Sequence, residues 1–485
     1  MHRASRFTVL LATAVLLTTL PAQANEAPAT LSLTDCVQRA LQHNFDIELG
    51  RFDTANARES IAIARAGFDP TLHASSTRQG SRQEGASFAA STWDTRLGAS
   101  QHLVTGANVS VSTSLYRNRN YLTTPPGSNL SYNSDVSLSL SQPLLKGAGL
   151  AYNRAALAQA RLGSDRAGLL YRGTMMDTVR ATEIAYFELH FARRQLAVRH
   201  QSLAAARQLY EENKTKRDTG VLTDLEVLTA EVGVATQQRN VLLAEQELHD
   251  REDGLRALIG QFALEAPLGE TGFTTAEVET LAVDRTFERA KAAQPEYLAT
   301  KSSIEQLQIE ADSARRNRLP ELNLATTLGY NTERDHAGDA LENLPGSEGY
   351  NWQVGLELTY PIGSRGDRAR LRQATNSLGH ARLQLRRLEQ DILVQARISV
   401  RAITTNREAV QVAALASQLG VKQYDLEKAR FDAGLSTARR VLDAQTDLDT
   451  ARVNELSSQV ALLVSIVQLR RLEGRSLDGY ALPSP

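Results

Sequence analysis

Residues 210–231 read YEENKTKRDTGVLTDLEVLTAE, and residues 424–445 read YDLEKARFDAGLSTARRVLDAQ. At a constant offset of 214, Tyr210 matches Tyr424 and Gly220 matches Gly434, and the closing runs RALIG and RRLEG match through Gly260 and Gly474. Each stretch is a charged helical approach, a break at glycine and a second helical run. The second run restarts at a hydroxyl residue, Thr223 in one copy and Ser436 or Thr437 in the other. A glycine just past a helix end adopts the left-handed conformation that stops the helix, and a hydroxyl can cap the first N–H groups of the next one. The pattern predicts two helical hairpins with exposed tips, built by internal duplication.

The arms of these hairpins are long. Proline is absent from 144–266 and from 362–482, and the run from about 151 to 217 corresponds to roughly 100 Å of helix at ~1.5 Å per residue. Leu189, Leu196, Leu203 and Tyr210 recur every seven residues, as do Leu371, Leu378, Leu385 and Ile392, with Ala374, Ala381 and Leu388 as a second seam. Seven-residue spacing implies coiled-coil pairing. Seams of leucine and alanine suit helices packed closely on both sides. Gly163, Gly168 and Gly173 mark close helix contacts or local breaks.

A second duplication precedes the first. Residues 33–66 are helical by pattern and repeat from 283 at an offset of 250, each copy ending before a proline, Pro70 or Pro320. The period then changes to two. Leu322, Leu324, Thr326, Leu328 and Tyr330 form one strand face, and Trp352, Val354, Leu356, Leu358 and Tyr360 another. Trp352 and Tyr360 stand about 26 Å apart along the strand at ~3.3 Å per residue, near the ~25 Å apolar band and aromatic girdles of a membrane barrel. Tyr330 belongs to the same girdle.

The first half reads as strands at 71–79, 92–104, 107–116 and 132–142. Their polar partners are mostly Ser, Asn and Thr, as a watery lumen accepts, with a tight turn at 105–108 and long loops at 80–91 and 117–131. Parity allows two or four strands there, hence four or six per protomer.

The flanks set compartment and exclude chemistry. Residues 1–24 have the form of a secretory signal, with His2, Arg3 and Arg6, an apolar run from Phe7 to Leu20 and Ala22-Gln23-Ala24 before the cleavage point. The lone Cys36 reads as a small buried helix residue, so no disulfide framework is expected. A net charge of −1 argues against a nucleic-acid partner. His190 and His200 lie ten apart, which suits no metal site, and no nucleophile, zinc or phosphate-loop motif occurs. The expectation is no enzyme and no cofactor. The units are 1–24 signal, 25–260 first repeat, 261–282 linker, 283–474 second repeat and 475–485 tail.

Helix, proline, strands, Gln-Pro or Tyr-Pro, a very long helix, a glycine tip and a returning helix, written twice, resemble the TolC-type outer-membrane efflux proteins. The tips GVLTDLEVLTAE and GLSTARRVLDAQ, the N-terminal LSLTDCVQRALQHN and the junction QPLL carry the resemblance. It implies an internally duplicated α+β membrane protein, a homotrimer whose strands form one β-barrel in the outer membrane of a Gram-negative bacterium. A coiled-coil α-helical tunnel continues the barrel through the periplasm. It implies passive conduction for an inner-membrane transporter joined through a periplasmic adaptor (membrane fusion) protein. Twelve strands are implied for the trimer, with the hairpin at 92–116 outside the barrel; eighteen is the alternative.

The resemblance also assigns sites. Gly220, Val221, Leu222, Thr223, Gly434, Leu435, Ser436 and Thr437 match the adaptor-docking tips. The gate positions are Phe431, Arg440 and Asp443, with Glu226 the first-half counterpart of Arg440. Arg440 stands where the family has an acid, and Phe431 lacks a tyrosine's hydroxyl. One hypothesis pairs Arg440 with Glu226 or Asp443 to hold the entrance closed; the other leaves Arg440 a solvated helix residue. A periplasmic coiled-coil scaffold is the competing function, separable by membrane fractionation. Drug, metal and protein cargo all remain open.

Overall fold

The computed structural model describes residues 31–82, 88–123, 126–261, 268–272, 282–346 and 348–482. The proposed signal and most of the 261–282 linker lie outside the described residues.

Both duplications are visible in element lengths. Helices α1 (Leu33–His43) and α2 (Phe45–Ala66) match α6 (Val283–Ala293) and α7 (Pro295–Arg316) at the offset of 250, with equal lengths of 11 and 22 residues. The single helix expected over 33–66 is two. Asn44 breaks it, leaving the helical region at ψ 131 and using its Oδ1 to cap Asp46 N–H at 3.0 Å, while Pro295 opens the second copy at the equivalent point. An asparagine at a helix start satisfies otherwise orphaned N–H groups, and proline at the first helical position lacks the donor altogether.

The long arms are α4 (Ala155–Asp218, preceded by the one-turn α3, Leu150–Asn153) and α9 (Arg365–Asp432), and the return helices are α5 (Asp224–Leu258) and α10 (Ala438–Leu472). Both return helices have 35 residues and sit 214 apart. On α9 the seams read from the sequence face inward: Ala374, Leu378, Ala381 and Ile392 are buried. No helix among the described residues is long and apolar enough to cross a membrane.

Six strands form one antiparallel sheet in the order β1 to β6: Thr71–Arg82, Phe88–His102, Asn108–Thr123, Pro126–Pro143, Glu321–Arg334 and Gly349–Thr359. This corrects two expectations. Of the expected loops at 80–91 and 117–131, the described residues 80–82, 88–91, 117–123 and 126–131 are strand. Arg117 and Arg119 share one face, Asn118 and Asn120 the other, and each pairs across to β4. The hairpin at 92–116 is a full member of the sheet and does not lie outside it.

The register explains why. One row of directly opposed residues, Leu72, Ala99, Val111, Leu138, Leu328 and Trp352, runs across all six strands, and the next row on the other face is Thr71, Ser100, Ser110, Ser139, Thr327 and Gln353. One face is apolar and the other hydroxyl- and amide-rich from edge to edge. A hairpin outside a barrel wall has no reason to keep that partition.

The helical core gathers where the repeats meet. Tyr186, Leu189, Leu255, Ile259, Cys36 and Val467 form one buried cluster. Cys36 is fully buried, and burial pushes its thiol up to about 11, so the thiolate fraction at neutral pH is small. Folded protein is expected to resist maleimide labelling that goes to completion in denaturant; equal labelling rates would refute the placement. The described part of the linker is strapped to α4: Arg193 donates to Gly269 O at 2.6 Å, and Tyr186 Oη lies 2.8 Å from Gly272 O. The tail packs back on α4, with Leu477 buried and Tyr480 Oη donating to Glu183 Oε1 at 3.0 Å.

Glu183 gives a pH signature. Burial raises its pKa above the usual carboxylate value, against the Tyr480 hydrogen bond and Arg470, which lower it. Asp449 is also raised by burial. A carboxyl raised in the folded state contributes stability that is complete below its unfolded pKa and is lost as pH rises through the folded value. Glu183→Gln keeps an acceptor for Tyr480 and removes the ionisation. It should raise Tm at pH 8, by ~1 °C per kcal/mol at this chain length, and flatten the decline above pH 4.5, the group's ordinary value. A variant as pH-dependent as the parent would refute this.

Candidate functional site

The two hairpin tips lie together at the end of the helices away from the sheet, and the same backbone device builds both. Gly220, at φ 79°, donates to Arg217 O at 2.8 Å while Val221 N–H reaches Lys216 O at 2.9 Å. Gly434, at φ 74°, repeats the pattern with Phe431 O at 2.9 Å and Leu435 N–H to Arg430 O at 2.8 Å. These paired bonds end a helix by satisfying its last carbonyls, and only glycine takes the positive φ without strain.

The expected hydroxyl caps do not form. Thr223 and Thr437 occupy the cap positions without a side-chain hydrogen bond, and the Ser436 hydroxyl donates to Glu427 instead. The cap of α10 comes from the other hairpin. Glu226 Oε2 accepts from Ala438 N–H at 3.1 Å, placing a carboxylate at the positive end of a helix. Asn213, fully buried on α4, braces that residue by donating to Glu226 O at 3.2 Å.

Phe431 is buried with Leu209, Ala438 and Val441. Lys216 Nζ sits 4.8 Å from its ring centroid and 3.3 Å from Asp432 Oδ1. The tie between the two hairpins therefore uses packing and a cation over the ring, where a tyrosine would offer a hydroxyl.

Arg440 and Asp443 stand exposed one turn apart on α10. Glu226 is engaged by the backbone, and within the chain Arg440 pairs with neither Glu226 nor Asp443 among the described residues. Leu222 packs against the tip cluster, whereas Val221 and Leu435, equivalent by the 214 offset, are each 71% exposed. Lys216 and Asn213 carried no signal in the sequence, because lysines and asparagines are common on helices and their partners lie on other hairpins or turns.

At the sheet, Tyr330 and Trp352 lie on the apolar face in adjacent rows of β5 and β6 and are exposed, as is Tyr360 just beyond the other end of β6. Among the described residues no cluster of His, Cys, Asp or Glu is arranged to hold a metal ion.

The sequence profile of the family described as "Outer membrane efflux protein" matches residues 108–261 and 286–475, well over half of the chain. The chain belongs to that family. The matched part of this efflux protein begins at β3, so β1 and β2 lie outside it. Outer membrane protein TolC of Vibrio cholerae serotype O1 is 24% identical over 306 residues, 63% of this chain and 69% of its own length. Outer membrane efflux protein BepC of Brucella suis biovar 1 is 23% identical over 351 residues, 70% and 72% of the two chains. Among solved structures, the Campylobacter jejuni CmeC outer membrane channel superposes with a TM-score of 0.69 at 16% identity, over 97% of this chain and 94% of that one. Vibrio cholerae VceC gives 0.68 at 16% identity, over 91% and 96%. Identities this low show the fold alone. The efflux protein is an outer-membrane protein of a transport family, with helices beside a sheet whose one face is apolar.

Proposed function

We propose that three copies close into a single duct, a β-barrel in the outer membrane continued by a helical tunnel. The duct conducts cargo passively from an inner-membrane transporter joined through a periplasmic adaptor. The observation that carries this is that one chain leaves both flanks unfinished. Among the described residues the sheet ends at β1 and β6 with open edges, which lipid cannot satisfy. The helices are also uncovered on two sides: Leu225, Leu228 and Val232 on α5 and Val412, Leu415, Leu419 and Leu426 on α9 are exposed apolar stripes at helical spacing. Ring closure pairs the edges and buries the stripes in one step.

Six strands per chain give eighteen around a three-fold axis. With strands ~4.8 Å apart and tilted ~40°, the barrel is about 36 Å across its backbone, against about 24 Å for twelve strands. The exposed Val221 and Leu435 serve as apolar anchors for the adaptor at the tips, and the Glu226 contact with α10 holds the entrance closed. Arg440 and Asp443 face outward for pairs to a neighbouring copy, each contributing about 0–1 kcal/mol. Tyr330, Trp352 and Tyr360 are the membrane girdle.

Native mass spectrometry of the detergent-purified protein tests the closure. The expected mass is three chains, falling to one in Leu415→Glu/Leu419→Glu. A wild-type protein that stays a single chain would contradict the reading.

A further inference from the structure

At the end of the sheet far from the helices, the register lines up a second row on the apolar face. Arg78 opposes Trp93, Trp93 opposes Arg117, Arg117 opposes Tyr132, and Tyr132 opposes Arg334, so cation and aromatic alternate across five strands. Arg119 continues the basic surface one step further out on β3. The opposite face at the same level reads Thr77, Asp94, Tyr116, Asn133 and Glu333. It carries carboxylates, and its nearest arginine, Arg96, is paired with Asp94 at 2.6 Å. Among the strand residues at this level charge is thus sorted, with Arg78, Arg117, Arg119 and Arg334 on the side of the apolar rows and the carboxylates, with Arg96 paired to one of them, on the hydroxyl-rich side.

Next to the basic row on the same face comes one row of Ser76, Thr95, Leu115, Ser134 and Thr332, and beyond that row the apolar band begins. There the same face carries Leu97, Val111, Leu138 and Leu328. The short helix α8 (Ala337–Glu342) also lies on this face, its Ala340 O accepting from the buried Ser134 Oγ at 2.6 Å. α8 brings Asp339 and Glu342, of which Asp339 faces His336 at 3.7 Å.

We propose that this row binds the phosphate groups of the acylated glycolipid that forms the outer leaflet of the membrane. Its acyl chains lie along the apolar rows, and its sugars rest against Trp93 and Tyr132. Arginine forks match phosphate oxygens bidentately, and aromatic rings settle at the boundary between hydrocarbon and headgroup. Arg78 and Arg117, like Arg117 and Arg334, are two strands apart, roughly 10 Å, a spacing that suits phosphates at the two ends of a disaccharide. The side of the sheet decides the occupant. A cargo anion travelling through the lumen meets the acidic face, whereas a lipid headgroup outside meets the arginines.

The site rests on the outer-membrane location and not on the proposed gating, so the two fail separately. The test is native mass spectrometry of delipidated protein titrated with diphosphoryl lipid A, with lipid A stripped of both phosphates, with phosphatidylglycerol and with inorganic phosphate. Diphosphoryl lipid A is expected to stay bound, at least tenfold more tightly than the other three. Arg78→Gln/Arg117→Gln/Arg334→Gln should lose about tenfold of that affinity while keeping its oligomeric mass and conductance, and the triple lysine variant should recover part of it. Equal retention of dephosphorylated lipid A, of phosphatidylglycerol or of inorganic phosphate would overturn the proposal, as would a glutamine variant within twofold of wild type. Should that variant fail to assemble, the wild-type comparison of phosphorylated and stripped lipid A decides alone.

Discussion

Glu226→Ala is expected to raise the open fraction of the reconstituted protein on the order of a hundredfold. Among the described residues its carboxylate is the only side chain capping α10 at Ala438 N–H, and it reaches there from the other hairpin. Separating the hairpins at the tip must break that bond. Loss of an N-terminal cap costs about 1 kcal/mol, and the interaction of a charge with the helix end adds roughly 0.3–1 kcal/mol. Three such contacts around a trimer, opening together, amount to about 3 kcal/mol or more, and each 1.4 kcal/mol is tenfold in a population ratio.

Glu226→Gln keeps an acceptor and loses the charge, so it should fall between wild type and the alanine variant. Single-channel recording measures all three. An alanine variant with wild-type open probability would remove Glu226 from the gate and leave the Lys216 and Phe431 contacts as the tie between the hairpins.

Gly474→Val should prevent accumulation of assembled protein, while Gly434→Val, at the same backbone angle, should not. Both glycines have φ near +74°, a conformation that costs an L-residue roughly 1–2 kcal/mol. They differ in what surrounds them. A Cβ on Gly474 would lie 2.7 Å from Ala293 O, a backbone atom at the end of α6, whereas nothing lies within 4 Å of one on Gly434. The α10 terminus therefore has to shift away from α6, taking the total cost to about 3–5 kcal/mol.

The equivalent Gly260 meets His43 O, at the end of α1, at 2.6 Å, so Gly260→Val should behave like Gly474→Val. The duplicated chain reuses one close approach between a return helix and an N-terminal helix in each half. Thermal melts and outer-membrane yield of the three variants check this. Equal losses for Gly434→Val and Gly474→Val would show that backbone angle matters and contact does not.

Much of this architecture was legible because duplication repeats its own punctuation. The offsets of 214 and 250 located the paired helices, the tip glycines and the proline boundaries to the residue. Their difference of 36 residues, carried between β1 and the long helix, is the length of one extra hairpin, which the first half inserts into the sheet.

Its membership in the sheet was harder to see. Polar stretches such as 117–123 look like loops by composition, and only the partner strand shows that Arg117 and Arg119 keep to one face. The Asn44 break was missed because an asparagine between two helical runs leaves no trace in hydrophobic period. At the tips, the glycines and Glu226 could be named from sequence. The cap on Ala438 could not, because its donor and acceptor are 212 residues apart, and the hydroxyls that local rules favour were displaced by a carboxylate from the neighbouring hairpin.

The central claim is that this chain builds a closed-resting duct through the outer membrane. Single-channel conductance of the purified wild-type protein in planar bilayers, with its copy number fixed by native mass spectrometry, tests it most directly. A trimer giving small, discrete conductance steps whose open probability rises in Glu226→Ala is the predicted result. A protein that assembles as three copies yet passes no current in either form, or one that stays soluble and never inserts, would contradict the account.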